Sequence, residues 1–575
     1  MTNLTIIENK RILANYLKIP YKPFIYILYH LKNPYYSFEI PKKDGTTRNI
    51  HAPHPKLKSL QENIKILLEK QYNLMCTDKN SHKAVHGFIK ERSIFTNANI
   101  HKNKSVVFNI DIEKFFESIH FGRVRGFLIK NKYFMLNEDV ATTLAKLICH
   151  DGHLPQGAPT SPVMSNLILN IFDVKVLEIC KRYSVDYTRY ADDLTFSSNS
   201  KDFFENFGDF YKEIETLINR NGFKLNGAKY RIQLKNSRQE VTGLIVNNKI
   251  NIKKEYYKNT RAMVNNIINH NIATLNDNIL SLNQIEGRLS FIHSIELYNR
   301  KIEYTKKIQL KEYDKDFLTY LKTIKYNSKE RNYQKFLFYK LFFNPSQIVV
   351  ITEGITDSYY LKAALKKYYL EYPSLIEYRD NEFIYKLKFL NRNNRLEYFF
   401  GITKDGGDSL SNLLNFYSSR KNSTYFQNHY NYYDDFIKKL HLKHSGAIVL
   451  LFDNEGSNKP LHKFINKIQS QITKNPDELK NTLNQTNPSP VNIIGNIHLL
   501  SINKEKEGQD FEIEDLIKDY TTTTIIDGKM FKNKGNEDSL NKISLAKHVL
   551  NNYKNIDLSQ IKPILDNIVM LNDNN

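Results

Sequence analysis

The sequence is short of the residues that build disulfide frameworks and zinc clusters. It has three cysteines in 575 residues, Cys76, Cys149 and Cys180, and no two of them are close in sequence. A disulfide scaffold needs several paired cysteines and an oxidising compartment, and a zinc ribbon needs closely spaced pairs. We therefore exclude both classes and expect a reducing, cytoplasmic setting.

Long apolar runs are also lacking. No run approaches the roughly 18 apolar residues of a membrane-spanning helix. Residues 1 to 30 have no charged start followed by an apolar core and a small-residue cleavage site. We expect a soluble protein that is not exported and has no membrane partner.

Negative charge is scarce relative to positive charge. The chain has 83 Lys and Arg against 61 Asp and Glu, a formal net charge of +22. Such a surplus attracts polyanions, of which nucleic acid is the obvious example. The alternative is a composition rich in Lys, Asn, Ile and Tyr for reasons unrelated to binding, and charge alone does not decide between them.

Against this background one short stretch stands out, Tyr190-Ala191-Asp192-Asp193. Aromatic and β-branched residues flank it on both sides, which predicts a β-hairpin with two carboxylates at its tip. Neighbouring aspartates repel each other unless a cation compensates them, and hard divalent ions prefer oxygen ligands. The simpler interpretation is a solvated turn, so the assignment depends on the rest of the chain.

A third aspartate follows another predicted strand. Residues 105–110 form a β-type run that ends at Asp111, and residues 113–119 have a helical pattern. At such a junction the Asp111 carboxylate either caps the helix or holds a metal. Taken alone, the sequence favours the cap.

Other segments of the first half have recognisable patterns. Residues 1–35 suggest short helices, residues 38–50 a basic hairpin around an Asp-Gly turn, and residues 58–71 an amphipathic helix. The turn-rich segment 154–162 precedes an apolar helix over 163–183. Residues 256–325 are helical and basic, which fits either a surface bundle or a clamp on a duplex, and residues 326–344 are also predicted to be helical.

The pattern changes near Pro345. Continuous apolar runs at 348–352 and 447–452 predict buried strands, and they alternate with helices at 356–369 and 409–417. This alternation predicts a parallel, doubly wound sheet, whose functional crevice lies beyond the carboxyl ends of the strands. Glu353 and Asp453 follow directly after the two strands, so a second metal site is expected there.

In their order and spacing, three of these segments resemble the palm motifs of reverse transcriptases. They are residues 109–116 around Asp111, Pro155-Gln156-Gly157 and Tyr190-Ala191-Asp192-Asp193. The resemblance implies a right-hand polymerase in which Asp111, Asp192 and Asp193 carry two Mg²⁺ ions and Phe116 lies under the sugar of the incoming dNTP. It also implies nucleotide contacts from Arg48, Gln156, Gly157, Tyr190 and Lys229.

Two further signatures resemble the retron branch of that family. They are Asn97, Ala98 and His101 in an Asn-Ala-x-x-His motif, and Val241-Thr242-Gly243. The resemblance implies recognition of a cognate noncoding RNA, priming from a guanosine 2′-hydroxyl, and a branched DNA–RNA hybrid product known as msDNA. RNA contacts at both signatures are part of this expectation.

Residues 347–525 resemble a Toprim domain of the overcoming-lysogenization-defect nucleases. Glu353, Asp357, Asp453, Glu455 and Glu514 match its acidic positions, with Glu455 where the family usually has aspartate. The resemblance implies one or two Mg²⁺ or Mn²⁺ ions and cleavage of tRNA, other RNA or DNA. It also implies a toxic effector that the hybrid restrains in bacterial anti-phage defence.

The expected fold is an α+β right-hand polymerase followed by an α/β Toprim domain with a parallel sheet. The expected parts are a helical cap (1–35), fingers and palm (36–250), a helical thumb and connector (251–345), the Toprim domain (346–525) and a helical tail (526–575). Two alternatives stay open: a Toprim fold that only binds nucleic acid or a partner, and a maturase-like RNA-binding protein. A homo-oligomer scaffolded by msDNA is also compatible with the sequence.

Overall fold

A computed structural model divides the chain into two compact units, residues 1–254 (the N-terminal unit) and residues 255–575 (the C-terminal unit). It describes residues 4–42, 45–77, 83–227, 230–404, 406–420, 426–457, 459–506, 509–526, 529–531 and 540–573. Within these ranges, no helix is both long enough and apolar enough to span a bilayer.

The N-terminal unit is mostly helical around one small sheet. Its helices are often capped by side chains; for example, the Asn137 side chain accepts the N–H of Val140, and Ser93 forms a capping box with Thr96. The helices are α1 (Lys10–Tyr16), α2 (Tyr21–Ile25), α3 (Pro55–Thr77), α4 (Ile94–Ile100), α5 (Phe121–Lys130), α6 (Glu138–Ile148), α7 (Ser161–Arg182), α8 (Asp202–Glu205) and α9 (Phe207–Arg220), and α10 (Lys254–His270) leads into the next unit.

The sheet of this unit brings the predicted strands together. Its strands are β3 (Val106–Asp111), β4 (Asp186–Tyr190), β5 (Asp193–Ser198) and β6 (Arg231–Leu234), in the order β4-β5-β3-β6 and all antiparallel. The predicted hairpin at 185–196 is confirmed. Two separate hairpins, β1 (Tyr35–Pro41) with β2 (Thr47–Pro53) and β7 (Glu240–Val241) with β8 (Leu244–Ile245), complete the unit.

One predicted helix is wrong. Residues 113–118 form consecutive turns, and the next helix begins only at Phe121. Lys114 has φ of 45°, a left-handed conformation that a right-handed helix does not contain. Without a helix to cap, the capping role considered for Asp111 is excluded.

The C-terminal unit is built on a mostly parallel sheet. Its strands β11 (Ile348–Thr352), β14 (Leu387–Phe389), β15 (Ile448–Phe452) and β17 (Ile497–Ser501) are parallel, and β16 (Val491–Ile494) is antiparallel at one edge. The small hairpins are β9 (Thr274–Leu275) with β10 (Asn278–Ile279), β12 (Ile376–Arg379) with β13 (Glu382–Tyr385), and β18 (Ile525–Ile526) with β19 (Lys529–Met530).

Successive residues of the central strands belong to two different cores. Val349 and Ile351 join an apolar cluster with α10 and the helix after it, whereas Ile348 and Val350 join a second cluster with the last helices of the chain. The helices of this unit are α11 (Leu282–Gln309), α12 (Phe317–Lys322), α13 (Ser328–Phe338), α14 (Asp357–Lys367), α15 (Asn394–Phe400), α16 (Tyr432–Asp434), α17 (Pro460–Ile468), α18 (Pro476–Leu483), α19 (Lys518–Thr523), α20 (Lys542–Asn551) and α21 (Lys562–Asp573).

Candidate active sites

The β3, β4 and β5 strands place three aspartates at one end of the sheet of the N-terminal unit. Asp111 is the register partner of Asp193, and the Ile112 N–H donates to the Asp192 carbonyl at 3.1 Å. Asp111 is only 4% exposed, whereas Asp193 is exposed. Like charges directly opposite each other destabilise a sheet unless a cation compensates them, and three carboxylates are a donor set that Mg²⁺ prefers.

A buried ion pair supports the hairpin from below. Arg189 and Asp173 are both fully buried, and the guanidinium donates to both carboxylate oxygens, at 2.9 and 2.7 Å. A third donor from Arg189 reaches the Ala191 carbonyl at 3.2 Å, inside the turn. Ala191 has φ of 57°, so the turn is held in a left-handed conformation by a fixed charge beneath it.

Gly87 packs against the same turn. A Cβ at this position would lie 2.5 Å from the Ala191 nitrogen, so only glycine fits without a shift. The Gly87 carbonyl accepts a hydrogen bond from Asn166, whose own oxygen accepts one from Arg189. The sequence motifs do not include Gly87, Asn166, Asp173 or Arg189. The signals for the last two are an arginine within a predicted strand and an aspartate within an apolar helix.

A cavity of about 580 Å³ is lined by four of the six residues predicted to contact a nucleotide. Lys58 and Lys65 of α3 also line it and were not predicted. Its predicted members are Arg48, Phe116, Gln156 and Gly157. Tyr190 lies in the hairpin opposite Asp193, and Lys229 is outside the described residues.

The close approach of β2 to this cavity explains why position 157 is a glycine. A Cβ on Gly157 would meet the His51 carbonyl oxygen at 2.7 Å, and the His51 N–H donates to the Gln156 carbonyl at 2.7 Å. The β1–β2 hairpin is therefore joined directly to residues 156–157. This contact holds Arg48 at the cavity, because Arg48 lies three residues before His51 on β2.

The Asn-Ala-x-x-His residues do not lie on the surface. Asn97, Ala98 and His101 are each 0% exposed, and His101 hydrogen-bonds the side chains of Ser197 and Thr188 at 2.7 Å. Burial lowers the pKa of His101 to about 3. The expectation that these side chains touch RNA is therefore corrected: they join α4 to β4 and β5.

The second signature is partly exposed. Val241 is buried, Thr242 and Gly243 form the β7–β8 turn with φ of 45° and 84°, and Gly243 is exposed. Among these three positions, only Thr242 and Gly243 are accessible to a partner.

In the C-terminal unit, five acidic residues gather beyond the carboxyl ends of β11 and β15. The Asp453 N–H lies 3.4 Å from a Glu353 oxygen, the Gly354 N–H donates to Asp357 at 2.7 Å, and the Ile513 N–H donates to Asp453 at 3.1 Å. We call this set the acidic cluster; its members are Glu353, Asp357, Asp453, Glu512 and Glu514.

Burial and mutual repulsion shape the electrostatics of the acidic cluster. Burial raises the pKa of Glu353 to about 7, and it also raises the pKa values of Asp357 and Glu514. The pKa of Asp453 lies well above its usual range because of burial and the neighbouring carboxylates of Asp357 and Glu353. The cluster therefore favours either protons or a bound cation.

Two lysines border the cluster. The Lys542 ammonium donates to Glu512 at 2.8 Å and to Glu514 at 3.3 Å, and the sequence analysis missed this residue. Lys459 pairs with Glu455 at 2.9 Å and with Asp510 at 3.4 Å. Glu455 is thus engaged by Lys459, as Glu512 and Glu514 are by Lys542.

Neither set of carboxylates forms a complete cage. In the part of the chain that the structure describes, no three His, Cys, Asp or Glu side chains lie at spacings that could hold a metal ion. Mg²⁺ usually takes only one or two protein carboxylates, with substrate phosphates and water filling the remaining positions. The chemistry of both donor sets fits such a shared ion.

Comparison with known families matches residues 40–247 to the reverse transcriptase (RNA-dependent DNA polymerase) family. The matched range includes the three aspartates and the residues that line the 580 Å³ cavity.

Three similar proteins are reverse transcriptases of retrons. The retron Mx65 enzyme of Myxococcus xanthus is 33% identical, over 45% of this chain and 60% of its own length. The retron Mx162 enzyme of the same organism is 30% identical over 50% of this chain and 64% of its own length. The retron Ec86 enzyme of Escherichia coli is 30% identical over 56% of this chain and 95% of its own length.

A solved telomerase structure from Candida albicans is similar over 57% of this chain and 63% of its own, at 10% identity and a TM-score of 0.31. A score that low supports no conclusion about this chain.

Proposed function

The chain belongs to the retron reverse transcriptase family, and from this premise we propose that its N-terminal unit is an RNA-directed DNA polymerase. The observation that carries the proposal is the register pair of Asp111 with Asp193, adjacent to Asp192. The same unit has a cavity whose charged lining consists of Arg48, Lys58, Lys65, Glu62 and Glu69. Phosphoryl transfer needs mainly positioning and charge compensation, which these groups offer.

In the proposed reaction, the primer hydroxyl oxygen bonds to the α-phosphorus of a deoxynucleoside triphosphate, and the bond to the bridging oxygen breaks to release pyrophosphate. Two Mg²⁺ ions, held by Asp111, Asp192 and Asp193, would supply charge compensation for the attacking and leaving oxygens. Arg48 and Lys58 would bind the triphosphate, and Phe116 would form the floor beneath its sugar.

We further propose that the template is a cognate noncoding RNA and that the product is msDNA primed from a guanosine 2′-hydroxyl. The support is the pair of retron signatures together with the relatives named above. Because the first signature is buried, we assign direct RNA contact to the Thr242–Gly243 turn, in which Gly243 is exposed and Thr242 is half-buried. Proteins recognise such RNAs through unpaired loops and 2′-hydroxyls.

The test is the nucleic acid that copurifies with the protein when it is expressed with its neighbouring noncoding RNA. A discrete short DNA, shifted on a denaturing gel by RNase, is expected from the wild type and absent from Asp192→Asn/Asp193→Asn. The matched control is Asp202→Asn/Glu205→Gln on the exposed helix α8. Persistence of the DNA in the first variant would overturn the polymerase assignment.

For the C-terminal unit, we propose a Toprim metal-dependent nuclease that acts as a toxic effector in anti-phage defence. The acidic cluster at the carboxyl ends of parallel strands supports this proposal. Mg²⁺ or Mn²⁺ would be held by Glu353, Asp357, Asp453 and Glu514, and Lys542 would compensate charge on a phosphate. The msDNA would restrain the effector and scaffold an oligomer; the substrate would be tRNA, other RNA or DNA.

A second candidate is a Toprim fold that binds nucleic acid without cleaving it. The ion pair of Glu455 with Lys459 favours this alternative, because it occupies a carboxylate that would otherwise serve a metal. Glu353→Gln separates the two candidates. Loss of phage protection at normal msDNA levels supports the nuclease, whereas retained protection supports the scaffold; Glu371→Gln, which lies in an exposed ion pair, is the control.

A further inference from the structure

The C-terminal unit contains a two-chamber pocket that neither proposed activity uses. The larger chamber, of about 700 Å³, lies between α11–α12 and the segment around α15, and the smaller, of about 250 Å³, adjoins it. Tyr326 and Asn428 line both chambers, and the Tyr326 N–H donates to the Asn428 side chain at 2.9 Å. The two chambers therefore adjoin each other at Tyr326 and Asn428.

The larger chamber is aromatic. The rings of Tyr326 and Tyr398 stack at 5.0 Å with an angle of 20°, and His293 lies 4.8 Å from the Tyr398 ring. The other apolar lining residues are Leu297, Phe317, Leu318, Leu321 and Phe426. Flat rings of this kind form stacking surfaces for a nucleobase.

Charges at the larger chamber are mutually compensated. Glu397 pairs with Lys322 at 3.2 Å, and Asp408 pairs with Lys467 at 3.3 Å. Arg395 pairs with Glu286. The chamber thus presents apolar surface with little net charge, as a base requires.

The smaller chamber is basic. Lys325, Arg331 and His429 line it, and no carboxylate does among the residues described. Within the same residues, neither the Lys325 ammonium nor the Arg331 guanidinium has an ion-pair partner. Arginine and lysine without partners form strong charge-assisted hydrogen bonds with a phosphate.

We propose that this pocket binds one nucleotide, with its base in the aromatic chamber and its phosphate at Arg331 and Lys325. Two sources share this chemistry: a free nucleotide, and an unpaired nucleotide of a bound RNA or DNA strand. The combined volume is within the range of small-molecule sites.

One segment that lines the larger chamber also lies close to the acidic cluster. Gly401, Thr403, Asp408 and Ser409 line the larger chamber. Between them, a Cβ on Gly407 would lie 3.4 Å from the Glu353 side chain. Residues 406–409 therefore lie between the larger chamber and Glu353, and an effect of occupancy on Glu353 rests on the proposed role of that cluster.

Arg392 connects the same segment to Glu353 by hydrogen bonds. Its guanidinium donates to the Gly406 carbonyl at 2.8 Å and also to the Glu353 carbonyl. A shift of the 406–409 segment would therefore be transmitted to the backbone of Glu353.

The experiment measures binding by calorimetry on the full chain in EDTA, which excludes metal-dependent dNTP binding at the polymerase site. The probes are the ribo- and deoxyribonucleoside monophosphates, and a hairpin oligonucleotide with one unpaired nucleotide. Arg331→Ala is expected to weaken binding about tenfold or more, since one charge-assisted hydrogen bond is lost. Arg379→Ala, an exposed arginine of β12, is the control.

The outcomes are distinct. Arg331-dependent binding of a monophosphate identifies a free nucleotide, and such binding of the hairpin alone identifies a strand. In either case, hydrogen exchange should slow at residues 401–409. Nucleotide binding that is unchanged in both Arg331→Ala and Ser294→Phe, a variant that fills the larger chamber, overturns the proposal. Binding of a fatty acid with the same affinity as the nucleotide also overturns it. Because the assay needs neither polymerisation nor cleavage, its failure leaves the proposed activities untouched.

Discussion

Both units bring carboxylates that repel each other close together, but the two sites differ in which charged groups are buried. In the N-terminal unit, Asp193 is exposed at the hairpin tip, and a buried Arg189–Asp173 pair holds the turn from below. In the C-terminal unit, the carboxylates of Glu353, Asp357 and Asp453 are themselves withdrawn from water. A buried ion pair thus fixes the turn at the first site, whereas burial at the second site raises the pKa values of the carboxylates themselves.

The largest effect is expected from breaking the support of the first site. Arg189→Met leaves the Asp173 charge buried without a partner, which costs about 3–5 kcal/mol. Urea denaturation, followed by hydrogen exchange at residues 186–198, measures the loss. The double variant Arg189→Met/Asp173→Leu should recover most of it, because an apolar pair of similar volume replaces the ion pair.

The control is Lys104→Met, which removes an exposed ion pair with Asp186 and should cost less than about 1 kcal/mol. Equal losses in Arg189→Met and Lys104→Met would show that the buried pair is not a support.

The next effect concerns pH at the second site. Burial raises the pKa of Glu353 in the folded protein to about 7, from an ordinary value of 4.5. Its contribution to stability is complete below pH 4.5 and is lost as the pH rises through about 7, by an amount on the order of 3 kcal/mol.

The measurement is the difference in unfolding free energy between wild type and Glu353→Gln in EDTA from pH 4 to 8. Saturating Mg²⁺ should cancel the loss above pH 7, since bound ligand stabilises the folded state. A difference that is independent of pH would contradict the buried, strained cluster.

A smaller effect of opposite sign is expected in the N-terminal unit. His101 has a folded pKa of about 3 against an ordinary 6.5, so the fold requires its neutral form. Stability is complete above pH 6.5 and falls as the pH decreases, by on the order of 2 kcal/mol between pH 6.5 and 5.

His101→Gln should abolish that part of the acid sensitivity while keeping a side chain able to hydrogen-bond Ser197 or Thr188. His54→Gln, the same change at a half-buried histidine, is the matched control. The same slope in wild type and His101→Gln would exclude the buried imidazole as its source.

The smallest effect is expected at the boundary of the acidic cluster. Lys459→Ala releases Glu455 and removes a nearby positive charge, so the affinity for Mn²⁺ should rise a few-fold while stability changes by less than about 1 kcal/mol. Titration with Mn²⁺ followed by electron paramagnetic resonance measures the affinity, and Lys463→Ala is the control. A decrease in affinity would show that Lys459 does not compete with the metal.

The sequence predicted the strands well because each strand has a local pattern. Continuous apolar runs gave β11 and β15 within one residue, and the flanking aromatic and β-branched residues gave the β4–β5 hairpin. The carboxylates could be found for the same reason: they follow directly after those strands. Local sequence patterns therefore predict both the strands and the acidic residues that follow them.

What could not be predicted depends on contacts between distant segments. Nothing local in residues 113–119 reveals that Lys114 takes a left-handed conformation. The burial of His101 requires Thr188 and Ser197, which lie 87 and 96 residues away. The two-chamber pocket is lined by residues of α11, of α12 and of several positions between Asn394 and Asn428, so no single stretch of sequence predicts it.

The division of β11 and β15 between two apolar clusters also has a consequence for synthesis on the ribosome. One face of these strands is covered by residues 263–289, which emerge earlier, but the other is covered by residues 545–568. The N-terminal unit can be complete once residue 254 has left the exit tunnel. The C-terminal unit cannot close its second core until residues 545–568 have emerged, so each nascent chain can carry a folded N-terminal unit before the C-terminal unit can form.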